Sequence, residues 1–199
     1  MSQTFLDAIR RRRSQYALRP ELPLSRDDTT ALIQEAIRLA PSSFNSQSSR
    51  AVILHGDESL RFWDIVREAL RGIVPAEAFA ATGQKIDSFA AGAGTVLFYE
   101  DQDVVKALQE QFPLYADNFP VWSEHSTGIA QFAVWTALAN AGIGASLQHY
   151  NPLPDEAAAK AWNLPASWKL RAQMPFGANA GPIGEKTFID DSTRFRVFG

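Results

Sequence analysis

Read for the spacing of its apolar positions, the chain alternates between helical and extended stretches. Residues 4–13 carry Phe5, Ala8 and Ile9 at helical spacing, which predicts a short helix whose last turn and following loop hold Arg10, Arg11, Arg12 and Arg13. Cations suit the negative end of a helix dipole, and that accounts for two of the four arginines. Pro20 and Pro23 make residues 18–24 an extended connector. Ser25 then predicts an N-cap with Asp28 in the reciprocal position; Leu32, Ile33, Ala36, Ile37 and Ala40 form the apolar stripe of a helix that Pro41 stops. A strand is predicted over 51–55. A second amphipathic helix starts at Asp57 or Ser59 and runs through Leu60, Trp63, Val66, Leu70 and Ile73. Segment 75–91, with Phe79, Ile86 and Phe89, reads as helical in part.

The run Thr95-Val96-Leu97-Phe98-Tyr99 is apolar on both faces, which predicts a fully buried central strand ended by Glu100 and Asp101. A helix over 104–112 follows, then an aromatic connector from Phe112 to Trp122, dense enough for a subunit contact or the cover of a pocket for a flat ligand. Residues 129–141 are apolar all round and predict a central helix, which Gly142 and Gly144 turn into a short strand over 145–149. A helix over 155–162 and a strand over 169–176 complete the pattern, the latter with Leu170, Ala172 and Met174 alternating. The end, 187–199, carries Phe188, Ile189, Phe195, Val197 and Phe198 and is too apolar for a free tail; it is expected to dock on this subunit or on a neighbour. Strands separated by helices, with no repeat and no boundary, predict one α+β domain over 1–199 with a central mixed sheet of about four to five strands flanked by helices.

Composition narrows the function. With 19 basic against 22 acidic residues the net charge is −3, so the arginine cluster is a local feature, which argues against nucleic-acid binding. The absence of cysteine removes disulfides, thiolate nucleophiles and thiolate metal ligands together. MSQTFLDAIRRRR has polar and acidic residues where a secretion signal needs an apolar core, and the most apolar long stretch, 127–147, is interrupted by Gln131, Asn140 and three glycines. A cytoplasmic address and no membrane span are the expectation.

Familiar catalytic arrangements are missing. Gly92-Ala93-Gly94 precedes a strand, whereas a dinucleotide phosphate turn must follow one. His55, His125 and His149 stand far apart, with no metal-ligand spacing. Glu100, Asp101 and Asp103 read as a strand terminus and an N-cap, and Ser123 to Ser126 around His125 as helix-start chemistry. Two features carry more polar capacity than structure requires. One is the arginine cluster with Ser14, Gln15 and Tyr16, whose guanidinium forks match phosphate oxygens. The other is the loop 41–49, with seven hydroxyl or amide side chains in nine residues around Phe44. Hydrogen-bonding loops without an autonomous acid, base or nucleophile favour a protein whose chemistry resides in a bound cofactor.

These motifs also carry a resemblance. Arg12-Arg13-Ser14-Gln15-Tyr16, the run Pro41-Ser42-Ser43-Phe44-Asn45-Ser46-Gln47, a Gly-Ile-Gly turn near 143 and Met174-Pro175-Phe176-Gly177 resemble the flavin-dependent nitroreductase family from end to end. Phe119-Pro120 to Glu124, Ser146 to Pro152 and the terminal Val197-Phe198-Gly199 are similar to its subgroup of fungal fatty-acid-repression nitroreductases. The resemblance implies an intertwined homodimer with FMN at the subunit interface. It implies that Arg12, Arg13, Ser14 and Tyr16 hold the FMN phosphate and ribityl chain, with Lys186 completing the phosphate site. Pro41, Ser42, Ser43 and Asn45 would approach the flavin from the other subunit, and Leu147, Gln148 and His149 would lie over the edge that carries N5. Two positions depart from the pattern: Phe188 stands where relatives often have a second basic residue, and His149 where they carry an acid.

The activity so implied is hydride transfer from NADH or NADPH through flavin N5 to a small aromatic acceptor, a nitroaromatic or a quinone, in ping-pong order. The competing reading is a non-catalytic flavin-binding or redox-responsive protein in lipid or stress signalling. His149 can be a packed strand-end residue or a hydrogen-bond donor near flavin or substrate.

Overall fold

A computed structural model describes residues 3–199. In chain order it gives α1 (Gln3–Arg11), β1 (Leu18–Arg19), α2 (Arg26–Arg38), β2 (Ser49–His55), α3 (Asp57–Arg71), α4 (Phe79–Ala90) and β3 (Gly94–Asp101). The second half comprises α5 (Gln102–Gln111), α6 (Phe119–Asn140), β4 (Gly144–Ala145), α7 (Asp155–Ala161), β5 (Trp168–Asn179) and α8 (Asp191–Arg194). Among the described residues, no helix is long and apolar enough to cross a membrane.

The class is α+β and the sheet has five strands, ordered β1-β5-β3-β2 with β4 also on β5. Every ladder is antiparallel where the sequence predicted a mixed sheet; the parallel link among the described residues is an isolated bridge between Ser14 and Ala145. The reason is the connection. Two helices, α3 and α4, separate β2 from β3, so the chain re-enters the sheet reversed, whereas a single crossover helix would have returned it parallel.

β3 is central, as its composition predicts. Val96 and Phe98 point to a core shared with Ile33, Val134, Leu138, Met174 and Phe176, under α2 and α6. Leu97 and Tyr99, one residue out of phase, point to the opposite core with Phe62, Trp63, Val66, Ile86, Phe89 and Leu170, under α3 and α4. One strand therefore nails both helical layers to the sheet. Ser25 caps α2 as predicted: the Asp28 N–H donates to its Oγ (3.0 Å), and that hydroxyl donates back to Asp28 Oδ2 (2.7 Å).

α6 begins at Phe119, not at 129, because Pro120 sits in its first turn, where a missing N–H breaks no helical bond. The expected strand over 145–149 shrinks to Gly144–Ala145 plus a bridge from Gln148 to Gln173. Two strand pairs meet tightly: a Cβ on Gly177 of β5 would lie 2.3 Å from the Arg19 carbonyl oxygen of β1, and one on Gly94 of β3 2.5 Å from that of Leu54 in β2. The C-terminal segment does not dock on its own chain, leaving Phe188 71% and Phe198 90% exposed.

His55, at the end of β2, is buried, and its Nε2 lies 2.9 Å from Thr30 Oγ1. That hydroxyl already donates to the Arg26 carbonyl (2.9 Å), so the imidazole supplies the proton from Nε2. Burial first, then the nearby Arg26 charge, lowers its pKa below the ordinary 6.5, with Asp27 opposing. In the window below 6.5 the unfolded chain binds this proton and the folded chain resists it, so stability falls as pH drops. Urea unfolding at about pH 7 and about pH 5 is expected to show a smaller acid loss in His55→Gln than in the wild type.

Candidate functional site

The end of α1 delivers the basic segment to the edge of β4. Ser14 bridges to Ala145, and the Gln15 N–H donates to the Ala145 carbonyl at 2.9 Å, which fixes the backbone on either side of the arginines. Arg12, Arg13, Ser14 and Tyr16 then line one cavity of about 590 Å³, closed from the other side by Gly181, Pro182 and Lys186 of the segment after β5. Five of the residues singled out in the sequence thus converge, with Glu185 as the one acid among them.

The four arginines divide by their partners. Arg10 pairs with Asp7 at 2.6 Å on an exposed helix face, although it borders an adjoining cavity with Arg12, Arg13 and Lys186. Arg11 donates to Asn140 Oδ1 at 3.1 Å. Arg12 places its guanidinium 4.3 Å over the Trp135 ring; burial and then the charge of Arg13 lower its pKa, yet a guanidinium stays charged in the working range. Lys186 holds its ammonium 5.1 Å over the ring of Phe188, so the residue that departs from the family pattern supports the lysine instead of adding a charge.

The serine-rich loop does not reach this cavity. Pro41 and Ser42 line a separate one of about 210 Å³, with Arg38, Gln47, Ser49, Arg50 and Ser126. The loop is wound tightly: Phe44, Asn45 and Gln47 all have positive φ (56°, 50° and 48°), and the Gln47 N–H donates to Ser42 Oγ at 2.9 Å. Asparagine tolerates that region; phenylalanine does so only when its surroundings impose it. Here they do. Phe44 packs on Phe112 (ring centroids 5.0 Å apart), Phe119 (5.3 Å) and, stacked, on Trp122 (6.0 Å). The predicted aromatic connector is therefore a platform for this loop. Ser43, Phe44 and Asn45 form a tight turn in which the Asn45 N–H donates to the Ser42 carbonyl at 3.0 Å.

A carboxyl group ties the other end of the loop down. Glu100 is wholly buried and accepts the hydroxyls of Ser48 (2.6 Å), Ser123 (2.7 Å) and Ser49. Asp101 is the N-cap of α5, as expected, and pairs with Arg50 at 3.1 Å. The sequence reading missed the role of Glu100, since its three donors arrive from elements remote in sequence. It also missed Trp135, hidden in a helix that is apolar all round. Three serines in a chain with one buried acid gave no spacing to detect.

Of the third group, Leu147 is half-buried against the core under α6, and His149 is exposed. Gln148 is buried; its N–H donates to the Gln173 carbonyl at 2.7 Å and its side-chain amide donates to Ser146 Oγ at 3.0 Å. These three lie off the cation-lined cavity of the same chain. One chain thus holds a cation-lined cavity and, apart from it, a strained polar loop with aromatic backing.

The chain is similar to known proteins in sequence and in fold. Residues 9–178 match the nitroreductase family. Nitroreductase FRM2 of Saccharomyces cerevisiae is 38% identical over 189 residues, covering 94% of this chain and 94% of the yeast protein. Among solved structures, nitroreductase CinD from Lactococcus lactis in complex with 4-nitrophenol superposes with a TM-score of 0.90 at 52% identity, covering 98% of this chain and 100% of that one. The fold also matches a nitroreductase with bound FMN from Desulfitobacterium hafniense, at a TM-score of 0.73 and 16% identity over the whole of both chains. A match spanning most of the chain, with relatives covered nearly end to end, makes this protein a member of the nitroreductase family.

Proposed function

We propose that the chain is an FMN-dependent oxidoreductase that draws on NADH or NADPH and reduces nitroaromatic or quinone acceptors. The observation that carries this reading is the convergence of Arg12, Arg13 and Lys186, with the hydroxyls of Ser14 and Tyr16, on one cavity. A phosphate monoester carries close to two negative charges, and this donor set fits it: three cations for the charge and two neutral hydroxyls for the remaining oxygens. Held there by Arg12, Arg13, Ser14, Tyr16 and Lys186, FMN would supply two-electron redox chemistry between the nicotinamide donor and the acceptor. The likeness to CinD, whose complex holds the nitroarene 4-nitrophenol, supports the acceptor class.

The protein's own part is binding and orientation. Arg12, Arg13 and Lys186 neutralise the phosphate, and Ser14 and Tyr16 fix its rotation. Pro41, Ser42, Ser43 and Asn45 lie away from this cavity in the same chain, as a site completed by a second copy requires. An apolar groove of about 420 Å³, lined by Phe5, Leu39, Pro41, Ile129 and Phe132, supports such a homodimer, and Pro41 places the serine-rich loop at its margin. Phe132→Glu is expected to shift the subunit equilibrium toward monomer by at least about tenfold and to lower flavin retention with it, read by sedimentation and by the absorbance ratio of flavin to protein. Leu147, Gln148 and His149 would border the ring, with exposed His149 free to donate to it.

A visible absorption spectrum before and after NADH or NADPH, with and without a nitroarene, tests the proposal. A yellow protein bleached by the nicotinamide and re-oxidised by the nitroarene is expected. A colourless protein that still turns over without FMN would end the flavin reading, and tight flavin without turnover would favour the non-catalytic alternative. Arg12→Ala and Arg13→Ala should each weaken FMN binding by about 10–100-fold, since a charge-assisted bond contributes about 1.5–3 kcal/mol. Arg10→Ala, whose partner is Asp7, should stay within about twofold.

A further inference from the structure

Trp135 touches the phosphate-binding segment at two places. Its ring lies under the Arg12 guanidinium, 4.3 Å from carbon to centroid. Its Nε1 donates to the Ala145 carbonyl at 3.1 Å, the same oxygen that accepts the Gln15 N–H at 2.9 Å. Ala145 is also the residue to which Ser14 is bridged. One half-buried side chain on α6 thus steadies both the charged fork of Arg12 and the strand residue on which the Ser14–Gln15 backbone is pinned. Trp135 itself does not line the cavity.

We propose that Trp135 is a positioning residue for recognition of the flavin phosphate, acting through Arg12. The inference rests on the FMN reading above. A free arginine must give up rotamer freedom and part of its hydration when it grips an anion, and it is repelled by a second arginine beside it. Stacked on an indole, the Arg12 fork has met those costs before the ligand arrives, and the quadrupole of the ring offsets part of the repulsion from Arg13. The selective consequence is that Trp135 raises affinity for the phosphorylated flavin and leaves the dephosphorylated one unaffected. Packing alone predicts no such distinction.

The test measures dissociation constants for FMN and for riboflavin, by flavin fluorescence, in the wild type, Trp135→Leu, Arg12→Ala and the double variant. Trp135→Leu is expected to weaken FMN by about tenfold and to leave riboflavin within about twofold. In the Arg12→Ala background the same change should cost clearly less, because of its two contacts with the segment only the Ala145 bond is left to lose. Equal weakening of both flavins, or an undiminished effect without Arg12, would overturn the proposal. If the leucine variant does not fold, Trp135→Phe in both backgrounds decides, with about a threefold loss for FMN expected where Arg12 is present and a smaller one where it is absent. A wild type that binds riboflavin as tightly as FMN would remove the flavin-phosphate reading itself, and the proposal with it.

Discussion

Glu100→Ala is expected to lower the free energy of unfolding by about 3–5 kcal/mol and to loosen the loop from Ser42 to Ser48 in the folded protein. The mutation leaves the hydroxyls of Ser48, Ser49 and Ser123 without their shared acceptor, and two of these serines are themselves buried. Each unsatisfied buried group costs about 1–3 kcal/mol, and relief from burying a carboxyl group offsets part of the sum. Denaturant unfolding reads the first effect and amide hydrogen exchange across the loop reads the second. Glu100→Gln keeps the volume and one acceptor oxygen, so it should recover about half of the lost stability. Unchanged exchange in Glu100→Ala would mean that the aromatic platform alone holds the loop.

The second large effect belongs to the opposite core. Thr95 Oγ1 accepts the Trp63 indole N–H at 2.9 Å and lies 2.8 Å from Ser59 Oγ, with both Thr95 and Trp63 fully buried. Thr95→Val keeps the shape and deletes the hub, stranding an indole N–H and a hydroxyl together. A loss of about 2–4 kcal/mol is expected in denaturant unfolding. Thr95→Ser retains the oxygen and gives up one methyl group, so its loss should be about 1 kcal/mol. If valine proves as mild as serine, the polar hub contributes no net stability.

How much of this was legible depends on whether the cause was local. β3 could be read directly, because a strand buried on both faces has to be apolar at successive positions, as from Val96 to Tyr99. The cap of α2 could be read from Ser25 and Asp28 alone. The start of α6 was obscured by Pro120 and its aromatic neighbours, which look like a connector until the proline is placed in a first turn. β1, two residues long, has no periodicity to detect, and β4 was foreseen only as a longer strand over 145–149; the pairing of both is decided by β5. At the site, the basic cluster and the serine-rich loop stood out by composition, whereas Glu100 and Trp135 act through partners that the fold supplies. A buried acid at a strand end and a tryptophan in an apolar helix look ordinary until their neighbours are known.

The crowded seam at Gly94 and Gly177 has an evolutionary consequence. At both positions the obstacle to a side chain is another strand's carbonyl oxygen, which cannot swing aside as a flexible side chain can. Heritable change is therefore barred from this part of the sheet and channelled into exposed positions that neither pair with a strand nor line the cation-rich cavity. Diversity among descendants of this chain should accumulate there, against an almost invariant seam.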